Sequence, residues 1–88
     1  MTREELRAAI VQELGEIAPE ADPVSVDDDA DLREALDLDS MDIFNLVVAM
    51  SRRLGIDIPD ADAACLVTLG GGAEYLELSL RRKSDARA

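Results

Sequence analysis

Eight consecutive residues, Ile43-Phe44-Asn45-Leu46-Val47-Val48-Ala49-Met50, hold a single polar side chain. With Met41 before them and Leu54 after them, only Asn45, Ser51, Arg52 and Arg53 interrupt the apolar character. A helix that is apolar on most sides must be packed on most sides. This segment is therefore predicted to be the central helix of a helical bundle. Its start is marked near Ser40, because Asp39 is a good N-cap residue and Asp42 falls in the first turn, where the helix dipole favours negative charge. Its end is marked by Gly55, a residue suited to the left-handed turn after a helix, with Arg52 and Arg53 at the negative pole of the dipole.

The flanking segments supply what such a helix can pack on. Thr2 and Glu5 have capping-box spacing, and Leu6, Ile10, Leu14 and Ile17 recur at helical intervals. A first helix is predicted from about Thr2 to Ala18, ended by Pro19. Residues 19 to 36 contain Pro19, Pro23 and the run Asp27-Asp28-Asp29, which predict a long connection. Val24 and Val26 are expected to tuck inward and tie it down. Asp31 to Leu36 is expected to form one helical turn with Leu32 and Leu36 as its buried pair. Ile56 to Pro59 is expected to be extended, with Asp60 capping a short helix of about Ala61 to Cys65. Thr68 is placed to cap a last helix running to about Arg82, striped by Leu69, Ala73, Leu76 and Leu80. Gly70-Gly71-Gly72 weakens its first turn, each glycine costing roughly 1 kcal/mol against alanine, so a late or frayed start is expected. The resulting expectation is an all-α four-helix bundle with three longer helices, one short helix and a long loop between the first two. It forms one domain over residues 1–82, followed by a disordered basic tail at 83–88.

Composition narrows the function. With 88 residues there is room for one modest core. That core must be aliphatic, because Phe44 and Tyr75 are the only aromatic residues. The formal net charge is −11, and residues 20–62 carry 13 acids against 3 bases. Such a surface repels nucleic-acid phosphates and attracts proteins with basic patches. Histidine is absent and Cys65 is the one cysteine, so a disulfide within the chain and a multi-cysteine metal site are both excluded. Cys65 is expected to be a small buried hydrophobe. The polar N-terminal residues do not read as a signal peptide, and no apolar run approaches the ~20 residues of a spanning helix. The expectation is a soluble, cytoplasmic monomer. Asp27, Asp29 and Asp31 match the first positions of a calcium loop, but Leu32 and Leu38 stand where its glycine and glutamate belong, so the match fails. A weak divalent-ion site in this acidic loop stays open; no metal site is assigned.

Ser40 lies where the acidic loop meets the apolar helix. A serine at a helix start is ordinarily a cap. As a nucleophile on its own substrate it lacks a histidine, and no lysine precedes Lys83. Its reading depends on its neighbours, Leu36-Asp37-Leu38-Asp39-Ser40-Met41-Asp42. This run resembles the phosphopantetheine-attachment motif of the acyl carrier proteins, an L-G-x-D-S-L core followed by an acid. The resemblance extends through Gly55-Ile56-Asp57-Ile58-Pro59-Asp60 to Leu66-Val67-Thr68-Leu69, nearly the full chain.

The resemblance implies that Ser40 carries 4′-phosphopantetheine, taken from coenzyme A by a phosphopantetheinyl transferase with Mg²⁺. It implies that Asp39 and Asp42 help present the serine, that Met41, in place of the usual leucine, is the exposed apolar knob beside it that partners touch, and that Leu46, Met50, Ile58, Ala63 and Leu66 line an acyl-chain cavity. It further implies a carrier rather than an enzyme, with acyl-loading and acyl-transferring enzymes as partners. Asp37 replaces the family's usual glycine. Asn45, Ser51, Arg52 and Arg53 replace common acids, which favours a dedicated lipid or polyketide-type pathway over housekeeping fatty-acid synthesis. Two other readings are kept: a peptidyl or aryl carrier of a non-ribosomal pathway, and an unmodified helical interaction module.

Overall fold

The structure is a computed structural model that describes the backbone of residues 1–87 and the side chains of residues 1–84. Four α-helices follow one another: α1 (Arg3–Ile17), the single turn α2 (Leu32–Ala35), α3 (Ser40–Leu54) and α4 (Leu69–Arg87). Two 3₁₀ segments join them, Pro23–Ser25 in the long connection and Asp60–Leu66 between α3 and α4. The all-α bundle with a long first connection agrees with the expectation; the short helix is of 3₁₀ type and starts after Pro59 without a side-chain cap from Asp60.

α1 begins where its sequence says it should. The Thr2 hydroxyl accepts from Glu5 N (3.1 Å) and the Glu5 carboxylate accepts from Thr2 N (2.8 Å). Those bonds to Thr2 hold the Glu5 carboxyl below its ordinary value. A lowered folded pKa contributes stability that is present above the ordinary carboxylate range and lost as pH falls through the folded value. Thermal melts followed by circular dichroism at pH 7 and pH 3 should therefore show a smaller acid-induced loss for Glu5→Gln than for the natural chain.

Leu6, Ala9, Ile10 and Leu14 form the buried face of α1 and pack against both α3 and α4. This corrects the expectation that the segment after Ser40 is central. α1, not α3, is the element flanked by the two other long helices. α3 buries Ile43, Leu46, Val47 and Met50 but leaves Met41 63% and Phe44 49% exposed. Its apolar excess is a surface feature rather than a sign of all-round packing.

α4 starts at Leu69 with no delay, despite the glycine run. Thr68 Oγ1 accepts from Gly71 N (3.0 Å), and Asp28 O accepts from Gly70 N (2.9 Å). A Cβ on Gly70 would come within 3.2 Å of that same Asp28 oxygen, and one on Gly72 within 3.1 Å of Ile10 Cδ1. Glycine's helix penalty is the condition for close approach of α4 to the connection and to α1. Leu69, Ala73 and Leu76 are buried and Leu80 is half-buried.

The helix then continues past Arg82 to Arg87, so its backbone is helical over part of the stretch expected to be a disordered tail. Arg81, Arg82 and Lys83 are good helix formers, and Lys83 Nζ donates to Gly55 O (2.6 Å), anchoring the helix beyond its predicted end. Residue 88 lies outside the described residues.

Three further expectations are corrected. Val24 is 71% exposed, and the connection is tied down instead by Val26, Leu32 and the Arg7–Asp28 ion pair. Leu36, the second of the expected pair in the α2 turn, is only half-buried beside fully buried Leu32. Cys65 is exposed, because the 3₁₀ winding turns Leu66 rather than Cys65 into the core. Tyr75 was given no role by the sequence. Its hydroxyl donates to Asp62 Oδ2 (2.7 Å), fastening the 3₁₀ segment to α4. Burial first, then the Asp62 carboxylate, push the Tyr75 phenol up from its ordinary value. Among the described residues no polar or charged side chain is buried, so the core is wholly aliphatic.

Candidate modification site at the start of α3

Ser40 is positioned by the turn that precedes it. The α2 turn ends at Leu36, and Asp37 adopts φ +55° in the left-handed region. Leu38 N then donates to Arg33 O (3.0 Å), which is the long bond of a Schellman turn with Asp37 at its left-handed position. Leu38 is buried and anchors the turn against the core. The family's glycine position is thus a position of real backbone demand, occupied here by aspartate. The left-handed region costs a side chain of L chirality about 1–2 kcal/mol, less for aspartate. Asp37→Gly is expected to stabilise the fold by roughly 0.5–1 kcal/mol after the glycine's extra unfolded-state entropy, a rise in Tm of about 3–6 °C. Differential scanning calorimetry checks it; an unchanged or lower Tm would mean that the carboxylate contributes as much as the backbone loses.

From this anchor the chain enters α3 through a second capping box. Asp42 N donates to Asp39 Oδ1 (2.9 Å), and Asp39 N donates to Asp42 Oδ2 (3.2 Å). The two acids therefore fasten one another's backbone across Ser40 and Met41. Because Asp39 is the cap, the Ser40 hydroxyl is not needed for that task. It sits exposed at the first helical position, with Met41 exposed beside it.

Ser40 also stands on the edge of a cleft of about 320 Å³ between α3 and the 3₁₀ segment Asp60–Leu66. Ile43, Phe44 and Val47 form one wall, Ala63, Ala64 and Val67 the other, and Arg33 and Asp60 stand at it as charged groups. Of the five residues expected to line an acyl cavity, only Ala63 reaches this cleft. Leu46, Met50 and Leu66 have no exposed surface and Ile58 has almost none; all four belong to the packed core. The cleft-lining residues of α3 had a signal in the sequence, since Ser40, Ile43, Phe44 and Val47 follow one another at helical spacing on one face.

The acids of the connection do not gather. Asp28 pairs with Arg7 and Asp31 with Arg33, and among the described residues no group of three metal-ligating side chains is placed to hold an ion. Among the same residues no helix is long and apolar enough to cross a membrane.

Comparison with known proteins bears on the whole assembly. The family described as "Phosphopantetheine attachment site" matches residues 4–76. The acyl carrier protein of Campylobacter hominis is 36% identical over 74 residues, covering 84% of this chain and 87% of that protein. That of Bdellovibrio bacteriovorus is 41% identical over 68 residues (77% and 81%), and that of Helicobacter pylori 30% identical over 74 residues (84% and 88%). A helical bundle, an acid-capped helix start and similarity to carriers over most of the length meet in one chain, which belongs to the acyl carrier protein family and has the phosphopantetheine-attachment fold and carrier function of that family.

Proposed function

We propose that Ser40 is the residue that receives 4′-phosphopantetheine, and that the chain carries acyl intermediates in a dedicated lipid or polyketide-type pathway. The observation that carries the reading is the division of labour at the start of α3: Asp39 and Asp42 do the capping, and Ser40 is left exposed, its hydroxyl making no hydrogen bond among the described residues. The group fits the residues present. A phosphodiester on Ser40 would lie at a helix N-terminus, where backbone N–H groups and the dipole favour negative charge. The apolar cleft adjoins it. When bound, the arm supplies a thiol that holds an acyl group as a thioester.

The chain's own residues then have defined tasks. Ser40 Oγ attacks the phosphorus of coenzyme A at its pyrophosphate, forming one P–O bond as another breaks. The nucleotide bisphosphate leaves, its charge offset by Mg²⁺, and a base of the transferase takes up the hydroxyl proton. Asp39 and Asp42 hold the backbone that carries Ser40. Exposed Met41 and Phe44 give apolar purchase to a partner whose basic patch meets the surrounding acids. The cleft shelters the start of an acyl chain, worth about 0.8 kcal/mol per buried CH₂. A longer chain would have to part Leu46, Met50, Ile58 and Leu66 beneath it, which is the sense in which those core residues serve as an acyl cavity. Arg52 and Arg53 in the last turn of α3, where many carriers of fatty-acid synthesis have acids, support a separate set of partners.

The test is intact-mass measurement after incubation with coenzyme A, Mg²⁺ and a broad-specificity phosphopantetheinyl transferase, with the modified peptide then fragmented. A phosphopantetheine-sized gain on the peptide containing Ser40 is the expected result. No gain with several transferases, while a known carrier is modified in the same tube, would overturn the reading.

A further inference from the structure

Arg33 is out of keeping with its surroundings. It is the only base between residues 20 and 51, a stretch rich in aspartate. Among the described residues it is also the one cation at the cleft that Ser40 borders. Its guanidinium is held in place: Nε donates to Asp31 Oδ1 (3.1 Å) and Nη2 to Asp31 Oδ2 (2.8 Å). Asp31 is fixed in turn, because its Oδ1 also caps α2 by accepting from Arg33 N (2.9 Å). A guanidinium has five N–H donors, and these two bonds leave three. The side chain is 51% exposed, so the remaining donors are open to a ligand. The backbone is equally fixed, since Arg33 O is the acceptor of the Schellman turn that leads into Ser40.

We infer that Arg33 is a receptor for the phosphodiester on Ser40, drawing the root of the arm across the cleft walled by Ile43, Phe44, Val47, Ala63 and Val67. The inference rests on Ser40 being the attachment residue. An exposed ion pair between free partners is weak. Here the anion is tethered to a residue on the same cleft, and tethering supplies an effective concentration in the millimolar range or above. A phosphodiester offers one negative charge at all working pH values. Arginine suits it because the planar fork binds phosphate oxygens in pairs. Asp31 keeps the fork aimed while its own carboxylate is committed to α2 and Arg33. The arm then has two states, one lying in the cleft and one swung out, and the guanidinium biases it towards the first.

Nuclear magnetic resonance of the loaded protein tests this. In the natural chain the Arg33 Nη–H signals should shift between the unloaded and loaded forms. The ³¹P signal of the phosphodiester should move as salt is raised from about 0.02 to 0.5 M, a range over which screening becomes strong. Arg33→Gln should abolish the salt-dependent ³¹P shift, and Arg33→Lys should keep part of it. The amide spectrum of each variant reports whether the fold is intact; the Arg33 Nη–H signals of the natural chain test the contact with no substitution at all. A loaded protein whose Arg33 signal does not move, and whose ³¹P signal is indifferent to Arg33→Gln, would overturn the receptor while leaving Ser40 as the attachment residue. A chain that is never loaded on Ser40 would overturn both.

Discussion

Replacing Ser40 by alanine is expected to abolish phosphopantetheine loading completely while leaving the fold as stable as before. The two halves of this expectation come from different atoms. Loading needs the hydroxyl oxygen, for which alanine has no substitute. Stability does not need it, because Asp39 and Asp42 close the capping box between themselves. Alanine at the first helical position is also the better helix former by a few tenths of a kcal/mol. Ser40→Ala should therefore melt within about 0.5 kcal/mol of the natural chain. A helix-capping serine would behave differently: its loss costs about 1 kcal/mol. Intact mass and a thermal melt on the same sample separate the two roles. A destabilised variant would show that Ser40 carries structural load, and a variant that still gains mass would move the attachment elsewhere.

The second large effect lies in the core. Leu46→Ala removes a side chain with no exposed surface from the aliphatic core. Leucine-to-alanine changes at such sites cost about 2–5 kcal/mol, the spread reflecting how far the cavity collapses. A domain of this length has a total stability of only about 4–13 kcal/mol. The substitution should therefore take from about a sixth to all of it and lower the urea midpoint in proportion. Phe44→Ala, two residues away but half exposed, should cost under about 1 kcal/mol. A comparable loss for both would mean that Phe44 packs more tightly than its exposure indicates.

Legibility in the sequence followed the range of the forces involved. The starts of α1 and α3 were readable because capping boxes are local: Thr2 with Glu5 and Asp39 with Asp42 lie three residues apart. Gly55 was readable for the same reason and adopts φ +63°. What depends on distant partners was not readable. The glycine run looked like a weak helix start until α4 was seen to lie against Asp28 and Ile10. Cys65 and Val24 looked buried by residue type, yet the core had enough larger aliphatic side chains to close without them. The α3 wall of the cleft was not named from the sequence: the resemblance to carriers pointed to Ala63, which lines the cleft, and to Leu46, Met50, Ile58 and Leu66 in the core, while Ile43, Phe44 and Val47, on the Ser40 side of α3, form its other wall.

α3 has acids at the end that bears Ser40 and two arginines in its last turn. The two groups are separated by about 20 Å of helix. These side-chain charges run opposite to the helix's own dipole, the Arg53 charge being offset in part by its ion pair with Glu13 (2.9 Å). Near a positively charged surface the molecule therefore experiences a torque that turns its serine end inward before any atoms touch. Rotational search, which ordinarily slows the encounter of two specific patches, is narrowed to rotation about a single axis. Reversing the charge of Arg52 and Arg53 would remove the torque and strengthen the net attraction together. The molecule would then be captured more often and misaligned more often, and the frequency of collision would cease to predict the frequency of productive contact.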